Sequence, residues 1–487
     1  MPLLAVLLPV VPVLAAALAA GAGWRALSAR CSVAAAALVL AGGGVLAAGV
    51  LADGPVGALG GLVRVDALSV FMVLVIGAVA LVATGYGVSY IDRELAGGHT
   101  TPAGARTYAV LVQLFIAAML VAVVADNLGV VWVAVEATTI TTAFLVGHRR
   151  TRHSLEASWK YVIIGSVGVA LAFLGTALVY FASRHGGGDA EAALNWSELT
   201  RHATQLDPGV MRLAVGLLVI GFGTKVGLAP LHTWLPDAHS QAPAPVSALM
   251  SGVLLSVAFY ALLRYKVIAD AALGAGYVRG LLLGAGLLSL AVASSLLIAQ
   301  RDYKRLLAYS SIEHMGLVAV GAAVGTRLAI AAVLLHILGH GLAKAVLFCG
   351  SGELLLATGS TRIADVDGAL VALPVVGPVF GLGLLALLGL PPFSLFASEL
   401  ALSRAGFADG LGWAIVAALG LLLVVFAAVA RHAQRLLLGA SSRPGAEPPP
   451  WSATVPLIGG IAACAALGVT VWPIERLLHA AAAVVAP

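Results

Sequence analysis

The chain has 487 residues and a net charge of +5; 61% of its residues are hydrophobic and only 10% are charged. A soluble domain carries about 25% charged residues, so this composition, with a mean hydropathy of +1.04, belongs to the membrane class and excludes a soluble domain beyond short loops. In such a chain the positive charge reports loop asymmetry, not a nucleic-acid partner.

Apolar stretches of membrane-spanning length predict about 14 helices, each near 20 residues, in an all-α polytopic fold. The first three cover 3–22, 32–52 and 66–90. The next five cover 107–124, 127–147, 159–183, 210–235 and 243–265. Five more follow at 278–299, 306–324, 327–355, 373–404 and 411–438, and a last one at 453–472. The N-terminal run lacks a basic leader, because Arg25 and Arg30 come after its apolar residues, so it reads as the first transmembrane helix and not as a secretory signal.

If the N-terminus faces outward, the inside loops hold Arg25, Arg30, Arg93, Arg106, Arg149, Arg150, Arg152, Lys160, Arg301, Lys304, Arg305, Arg362, Arg431, Arg435 and Arg443. That is more than half of the 27 basic residues, and the short basic loops at 148–160 and 300–305 both fall inside. The bias places both termini outside a bacterial inner membrane. The Arg149–Lys160 cluster is a topology determinant, and the mixed-charge loop 186–208 is a candidate partner contact.

Two helices are expected to be broken. The seventh contains Pro230 in Leu228-Ala229-Pro230-Leu231, with Pro236 soon after; the twelfth contains Pro391-Pro392. Proline removes a backbone donor and clashes with the preceding turn. A single kink means little in a membrane helix, but the positions here match. Residues 107–266 and 278–438 each form a five-helix unit whose fourth helix is the broken one, after an N-terminal unit 1–106 and before a C-terminal unit 439–487. An odd number of crossings starts the second unit on the opposite side, so the two are expected to be inverted repeats, a pattern that points to an ion pathway.

Glu136 stands ten residues past Asp126, about 15 Å into a ~30 Å core. It is either a protonated glutamate satisfied within the bundle or a group on an ion path, and intramembrane carboxylates usually mark a path. Lys225, five residues before Pro230, has Glu136 as its expected counter-ion. At 4 Å and an effective dielectric of 20 their attraction would be ~4 kcal/mol, enough to load or release a proton as the carboxylate moves.

His336, His340 and Lys344 follow at i, i+4 and i+8, stacked on one helix face over about 12 Å. A lone histidine there would be a core residue; two with a lysine in register suit proton transfer. The face supplies no carboxylate or cysteine for a metal. Glu399, past the Pro391-Pro392 break, is the counterpart of Lys225 and a candidate exit group, or else a charge that stabilises a helix dipole. Asp66, Arg64, His232, Asp237, His239, Lys304 and His314 are expected at helix ends, with His232, Asp237 and His239 lining an entrance. Cys31, Cys349 and Cys464 are scattered, and with no CxxC, His/Cys cluster or phosphate loop the chain offers no evident redox, nucleotide or metal site. No cofactor is expected.

The segment Phe222-Gly223-Thr224-Lys225-Val226-Gly227 to His232-Thr233-Trp234-Leu235-Pro236-Asp237-Ala238-His239 resembles the central motif of the antiporter-like subunits of respiratory complex I. Asp302-Tyr303-Lys304-Arg305 through Ser310-Ser311, then His314-Met315-Gly316, is a second match, and the His336–Lys344 segment a third. Within the family, Glu136-Ala137-Thr138-Thr139 and Ser154-Leu155-Glu156-Ala157-Ser158-Trp159-Lys160-Tyr161 look most like component F of hydrogenase-4.

The resemblance implies a 14-helix antiporter-like fold. It also implies partners among other membrane subunits and a peripheral NiFe and iron–sulfur arm, as in group 4 NiFe-hydrogenase and formate hydrogenlyase complexes. Glu136 and Lys225 would then form a first half-channel, with His336, His340, Lys344 and Glu399 leading to a second. One departure stands out. Where complex I relatives usually place a lysine on helix 8, this chain has Ser256, with Tyr260 one turn away as a possible central link.

Three functions are therefore in play. The first is a proton-translocating subunit of a membrane redox complex, itself without a redox site. The second is a subunit of a multisubunit sodium/proton antiporter. The third is a structural membrane anchor, against which the six intramembrane charges argue and for which Ser256 argues mildly.

Overall fold

A computed structural model describes residues 1–185, 192–366, 368–438 and 449–486; Arg443 and the start of the 186–208 loop lie outside the described residues. In hydrocarbon every backbone N–H and C=O must find a partner within the protein, so long apolar segments become helices. The N-terminal helices are α1 (Pro2–Ala22), α2 (Ala26–Asp53) and α3 (Ala67–Ala96). Then come α4 (Pro102–Val124), α5 (Leu128–Val146), α6 (Arg152–His185), the short α7 (Trp196–Arg201), α8 (Pro208–Val226) and α9 (Trp234–Gln241). A widened π-helical turn at Met250–Leu254 joins α10 (Ala244–Leu249) to α11 (Leu255–Leu273). The chain goes on through α12 (Ala275–Ile298), α13 (Tyr303–Val324), α14 (Arg327–Thr358), α15 (Ala369–Ala372), α16 (Val376–Leu387) and α17 (Ser394–Ala408). It closes with α18 (Gly412–Leu438), α19 (Trp451–Val469) and α20 (Glu475–Val485).

Among the described residues thirteen runs, counting α10–α11 as one, are long and apolar enough to cross a membrane. The pair α16 and α17 makes a further passage end to end. Arg362, ahead of α16, bridges to Asp302 at one end of the bundle, while Asp409, after α17, pairs with Arg279 at the other, 3.0 Å away. The chain is thus a polytopic helical membrane protein, and its seventh and twelfth expected helices are interrupted where the prolines stand. Two features were not foreseen: a short hairpin of β1 (Val56–Ala58) and β2 (Val63–Val65), and α20, which packs on α3 and α14.

Polar side chains start the helices. Asp66, Thr101, Asn127, Asp207, Asp302 and Thr326 each accept a hydrogen bond from the first turn of the helix they precede, satisfying donors that would otherwise be orphaned. At the face that holds most of the basic loops, Trp24 Nε1 donates to Asp92 at 2.7 Å, Arg149 pairs with Glu94 at 2.8 Å, and Arg93 pairs with Glu353. At the opposite face Asn127 donates to Asn195 at 3.0 Å, and Arg327 donates to the Ala486 carbonyl at 3.0 Å.

α3 runs between these faces and is fastened at both ends. At the basic face its Arg93 reaches α14 and its Glu94 reaches Arg149. At the other end Asp66 receives both terminal nitrogens of Arg264 on α11, each at 2.7 Å. Asp66 and Arg264 are only 2% and 4% exposed. Arg264 also donates to Tyr260 and Ser69 and lies 4.4 Å from the Trp196 ring centroid. Burial would raise the Asp66 carboxyl, but the Arg264 guanidinium, with the Ser69 N–H, holds it below its usual value.

Arg264→Ala, which leaves Asp66 buried without its cation, is expected to cost about 3–5 kcal/mol. A lower unfolding midpoint of the purified protein in detergent would register this loss, and an unchanged midpoint would contradict it. In the basic-face loop between α5 and α6, burial and then Arg149 and Arg150 push His148 down to about 4. A depressed histidine favours the neutral form in the fold. Its contribution is therefore complete above about pH 6.5 and is lost as pH falls through about 4. His148 Nε2 lies 3.2 Å from the Thr100 hydroxyl, so the protection of amides 97–101, corrected for the intrinsic exchange rate at each pH, should fall in acid in the native protein and fall less in His148→Gln.

Candidate functional site

The first cluster is built by α5, α6 and α8. Glu136, Thr139 and Thr142 stand at i, i+3 and i+6 of α5, so they share one face. Thr139 Oγ1 donates to Glu136 at 3.0 Å, and Thr142 Oγ1 lies 2.6 Å from the Tyr161 hydroxyl of α6. Lys225, fully buried in the last turn of α8, donates to that same hydroxyl at 2.8 Å, its Nζ 4.6 Å from the ring centroid. No ion pair within 4 Å joins Lys225 to Glu136 among the described residues. The expected direct counter-ion is therefore replaced by a threonine–tyrosine bridge.

The break beside Lys225 is closed by specific groups. Gly227 ends α8 at φ +83°, a conformation few other residues adopt cheaply. The freed backbone is then re-satisfied. Leu228 N–H donates to the Gly223 carbonyl at 2.9 Å, Ala229 N–H donates to Ser289 of α12 at 2.8 Å, and Trp234 Nε1 donates to the Thr224 carbonyl at 2.8 Å. Broken backbone at this depth is tolerated only where the protein supplies such partners.

The centre departs from expectation. Tyr260 is committed to the α3 fastening: it donates to the Val123 carbonyl at 2.9 Å and accepts from Arg264 at 2.9 Å. Ser256 is fully buried with its hydroxyl unpaired. His239, expected at an entrance, is fully buried on α9 with both ring nitrogens unpaired, its ring 5.5 Å from that of Phe348, one turn beyond Lys344 on α14. Its neighbours in the motif stay nearer the surface. Asp237 pairs with Lys160 at 3.1 Å and Arg305 at 2.9 Å, and His232 is at the edge of burial.

The second cluster is denser. Lys344 donates to the Leu307 carbonyl at 2.7 Å and to the Ser310 hydroxyl on α13. His314, expected at a helix end, sits in mid-α13 and is fully buried, its Nδ1 3.0 Å from His336 Nε2. His336 Nδ1 lies 2.9 Å from the Ser398 hydroxyl, next to Glu399 on α17. The His340 ring is 5.1 Å from that of His314, with both nitrogens unpaired. Glu399 brings a carboxylate oxygen to within 4.8 Å of both His314 and His336. Its side chain rests against Gly389, the left-handed turn at φ +62° of the second break. A cavity of about 240 Å³ opens beside it.

His314, His336 and Glu399 have the donor types of a divalent metal site. In the structure the two rings meet nitrogen to nitrogen, and the Ser398 hydroxyl lies on the other His336 nitrogen. Tyr161 and the mid-helix place of His314 escaped the sequence reading, although both sit inside segments already singled out. Tyr161 carries no charge at neutral pH, and His314 lay eight residues into its predicted helix, too near the boundary to be taken as deep.

Together, these features define a class: a membrane protein whose broken helices flank a buried row of titratable side chains. The chain belongs to the NADH:quinone oxidoreductase/Mrp antiporter transmembrane family, whose model matches residues 125–426. It is 39% identical to the hydrogenase-4 component F homolog of Methylacidiphilum infernorum, over 77% of this chain and 79% of that one. It is 32% identical to hydrogenase-4 component B of Escherichia coli over 69% of its own length, spanning only 49% of that relative. Among solved structures, a chain of the membrane-bound sulfane sulfur reductase, an archaeal respiratory membrane complex, shares its fold with a TM-score of 0.89 at 24% identity, covering 99% of this chain and 97% of that one.

Gly389→Ala would force a side chain onto the Glu399 carboxylate as well as strain a left-handed turn, a loss of about 1–2 kcal/mol from the turn alone. Adding Glu399→Ala should recover the collision part. Unfolding midpoints of the two single variants and the double variant will show a positive coupling if the contact is as described.

Proposed function

We propose that this chain is the proton-translocating membrane subunit of a respiratory redox complex, of the group 4 NiFe-hydrogenase, formate hydrogenlyase or complex I-like kind. The single observation that carries the reading is the buried row itself. Glu136, Tyr161 and Lys225 form one cluster and Lys344, His340, His314, His336 and Glu399 the other. His239 stands between them, its ring 6.1 Å from Trp234, which packs on Tyr161, and 5.5 Å from Phe348 of α14. An anchor would gain stability from apolar residues at every one of these positions. The two units 107–266 and 278–438 act as inverted halves of the pathway, a reading supported by a broken helix in the same place in each. His239 is the central link between the two clusters, in place of Tyr260, whose hydroxyl is tied to Val123 and Arg264.

The mechanism follows from distances. A lysine hydrogen-bonded to a neutral hydroxyl keeps its proton less firmly than one in an ion pair. Motion of Glu136 toward Lys225 would add an attraction of up to ~4 kcal/mol at 4 Å, and motion away would remove it. Such motion loads and releases the proton, which passes by way of His239 to Lys344 and the imidazoles. Partners are other membrane subunits, because the relatives are components of multisubunit assemblies, together with peripheral subunits carrying NiFe and iron–sulfur centres. The site is a bacterial inner membrane with both termini outside.

The sodium/proton antiporter reading is favoured by the family description, which joins the two kinds of protein. Inverted membrane vesicles containing the whole complex separate them. Redox-driven proton uptake should fall about tenfold or more in Lys225→Ala and in Glu136→Gln, the effect of about one pKa unit or more at a transfer group. Normal uptake in both variants sinks the proposal. Proton movement driven by a sodium gradient without an electron donor would favour the antiporter.

A further inference from the structure

The helix that carries His314 also carries an acid that the pathway leaves without a task. Glu313 is 2% exposed and 11 residues beyond Asp302, about 16 Å into α13. No described group hydrogen-bonds to its carboxylate; the imidazole of His314 stands beside it, with Nε2 3.4 Å away and itself unpaired. A buried carboxylate without donors is costly unless it holds a proton or a cation.

Glu313 borders the same cavity of about 240 Å³ as Glu399. The rest of that wall is apolar, formed by Leu387 of α16, Leu388 just after it, and Leu419, Leu422 and Phe426 among others of α18. Two carboxylates thus face one small space of low polarity. The other titratable groups packed around it are His314 on α13 and His336, His340 and Lys344 on α14; α16 and α18 present none at the wall. At ~30 Å³ per water the cavity has room for several molecules between the two acids.

We propose that Glu313 and Glu399 are a paired-carboxylate loading site that holds one proton between them at the end of the row. Two like charges facing one small, mostly apolar space cannot both ionise cheaply, so the pair keeps one proton and titrates as a unit. Transfer breaks the O–H bond on one acid as an O–H bond forms on the other, directly or across the cavity, with no net charge moved out of it. A second proton arriving from His336 neutralises the pair, and one proton then leaves. The inference rests on Glu399 being the exit group of the proposed pathway, and it adds Glu313 as an equal partner.

The test uses the whole complex in proteoliposomes with Glu313→Gln, Glu313→Asp, Glu399→Gln and the Glu313→Gln/Glu399→Gln double variant. Redox-driven proton uptake and the infrared band of protonated carboxyl groups are measured across pH. Uptake in Glu313→Gln should fall about tenfold, as one pKa unit at a transfer group implies, and Glu313→Asp should restore most of it. The double variant should be no slower than the slower single one. One protonated-carboxyl band should shift or vanish in either single variant. Normal uptake and an unmoved band in Glu313→Gln, with Glu399→Gln slow, overturn the pair and leave the proposed function standing, as do independent, additive losses. If Glu313→Gln fails to assemble, an unmoved band in Glu313→Asp overturns the pair instead. Normal uptake in both Glu399→Gln and Lys225→Ala removes the pathway itself.

Discussion

A lysine ammonium taken into the middle of a membrane must be held, and how it is held decides what it can do. Lys225 is held by the Tyr161 hydroxyl, and Lys344 by the Leu307 carbonyl and the Ser310 hydroxyl. All of these are neutral oxygens, while the acids Glu136, Glu313 and Glu399 stand one step further off. A lysine paired directly with a carboxylate would be fixed as a cation. One resting on neutral oxygens, with an acid within electrostatic reach, keeps a charge state that small movements can change.

The arginines follow the opposite rule. Arg264 meets Asp66 with two nitrogens, Arg93 meets Glu353, and Arg149 meets Glu94. Guanidinium stays charged at any accessible pH and binds carboxylate in a fixed fork, so these pairs serve as fastenings. They sit at the two ends of α3, whereas the lysines sit at mid-depth between them. Asp237, shared between Lys160 and Arg305, adds a looser tie between the start of α6 and the start of α13 at the basic face. The fold thus separates what must not move from what must.

Much of this architecture was legible because hydrocarbon imposes simple rules. Length and apolarity gave the helices, although α2 (Ala26–Asp53), α3 (Ala67–Ala96) and α6 (Arg152–His185) overrun their expected bounds where polar residues continue the turns. Proline gave both breaks. Depth arithmetic found Glu136, and helical spacing found the His336–Lys344 stack. The same arithmetic applied to Glu313, 11 residues past Asp302, would have found it too; its closeness to a helix predicted to begin only at 306 concealed its depth. Other residues were beyond one-dimensional reasoning. Tyr161 matters through a hydroxyl that no charge pattern marks, and Arg264 through an Asp66 that lies 198 positions away. His239 looked superficial because it follows Pro236 in a short segment, but the break turns α9 inward, toward Phe348.

Glu136 is mid-way along α5, Lys225 stands at the break between α8 and α9, His336 to Lys344 occupy the middle of α14, and Glu399 follows the second break. A proton passed along these groups would travel sideways, roughly in the plane of the bilayer, where the transmembrane voltage does almost no work on it. The electrical cost of about 2.3 kcal/mol per 100 mV for a full crossing would fall instead on the short vertical legs that join the row to either surface. Lateral transfer could then stay nearly isoenergetic at any membrane potential, and the load would be felt only at the two mouths.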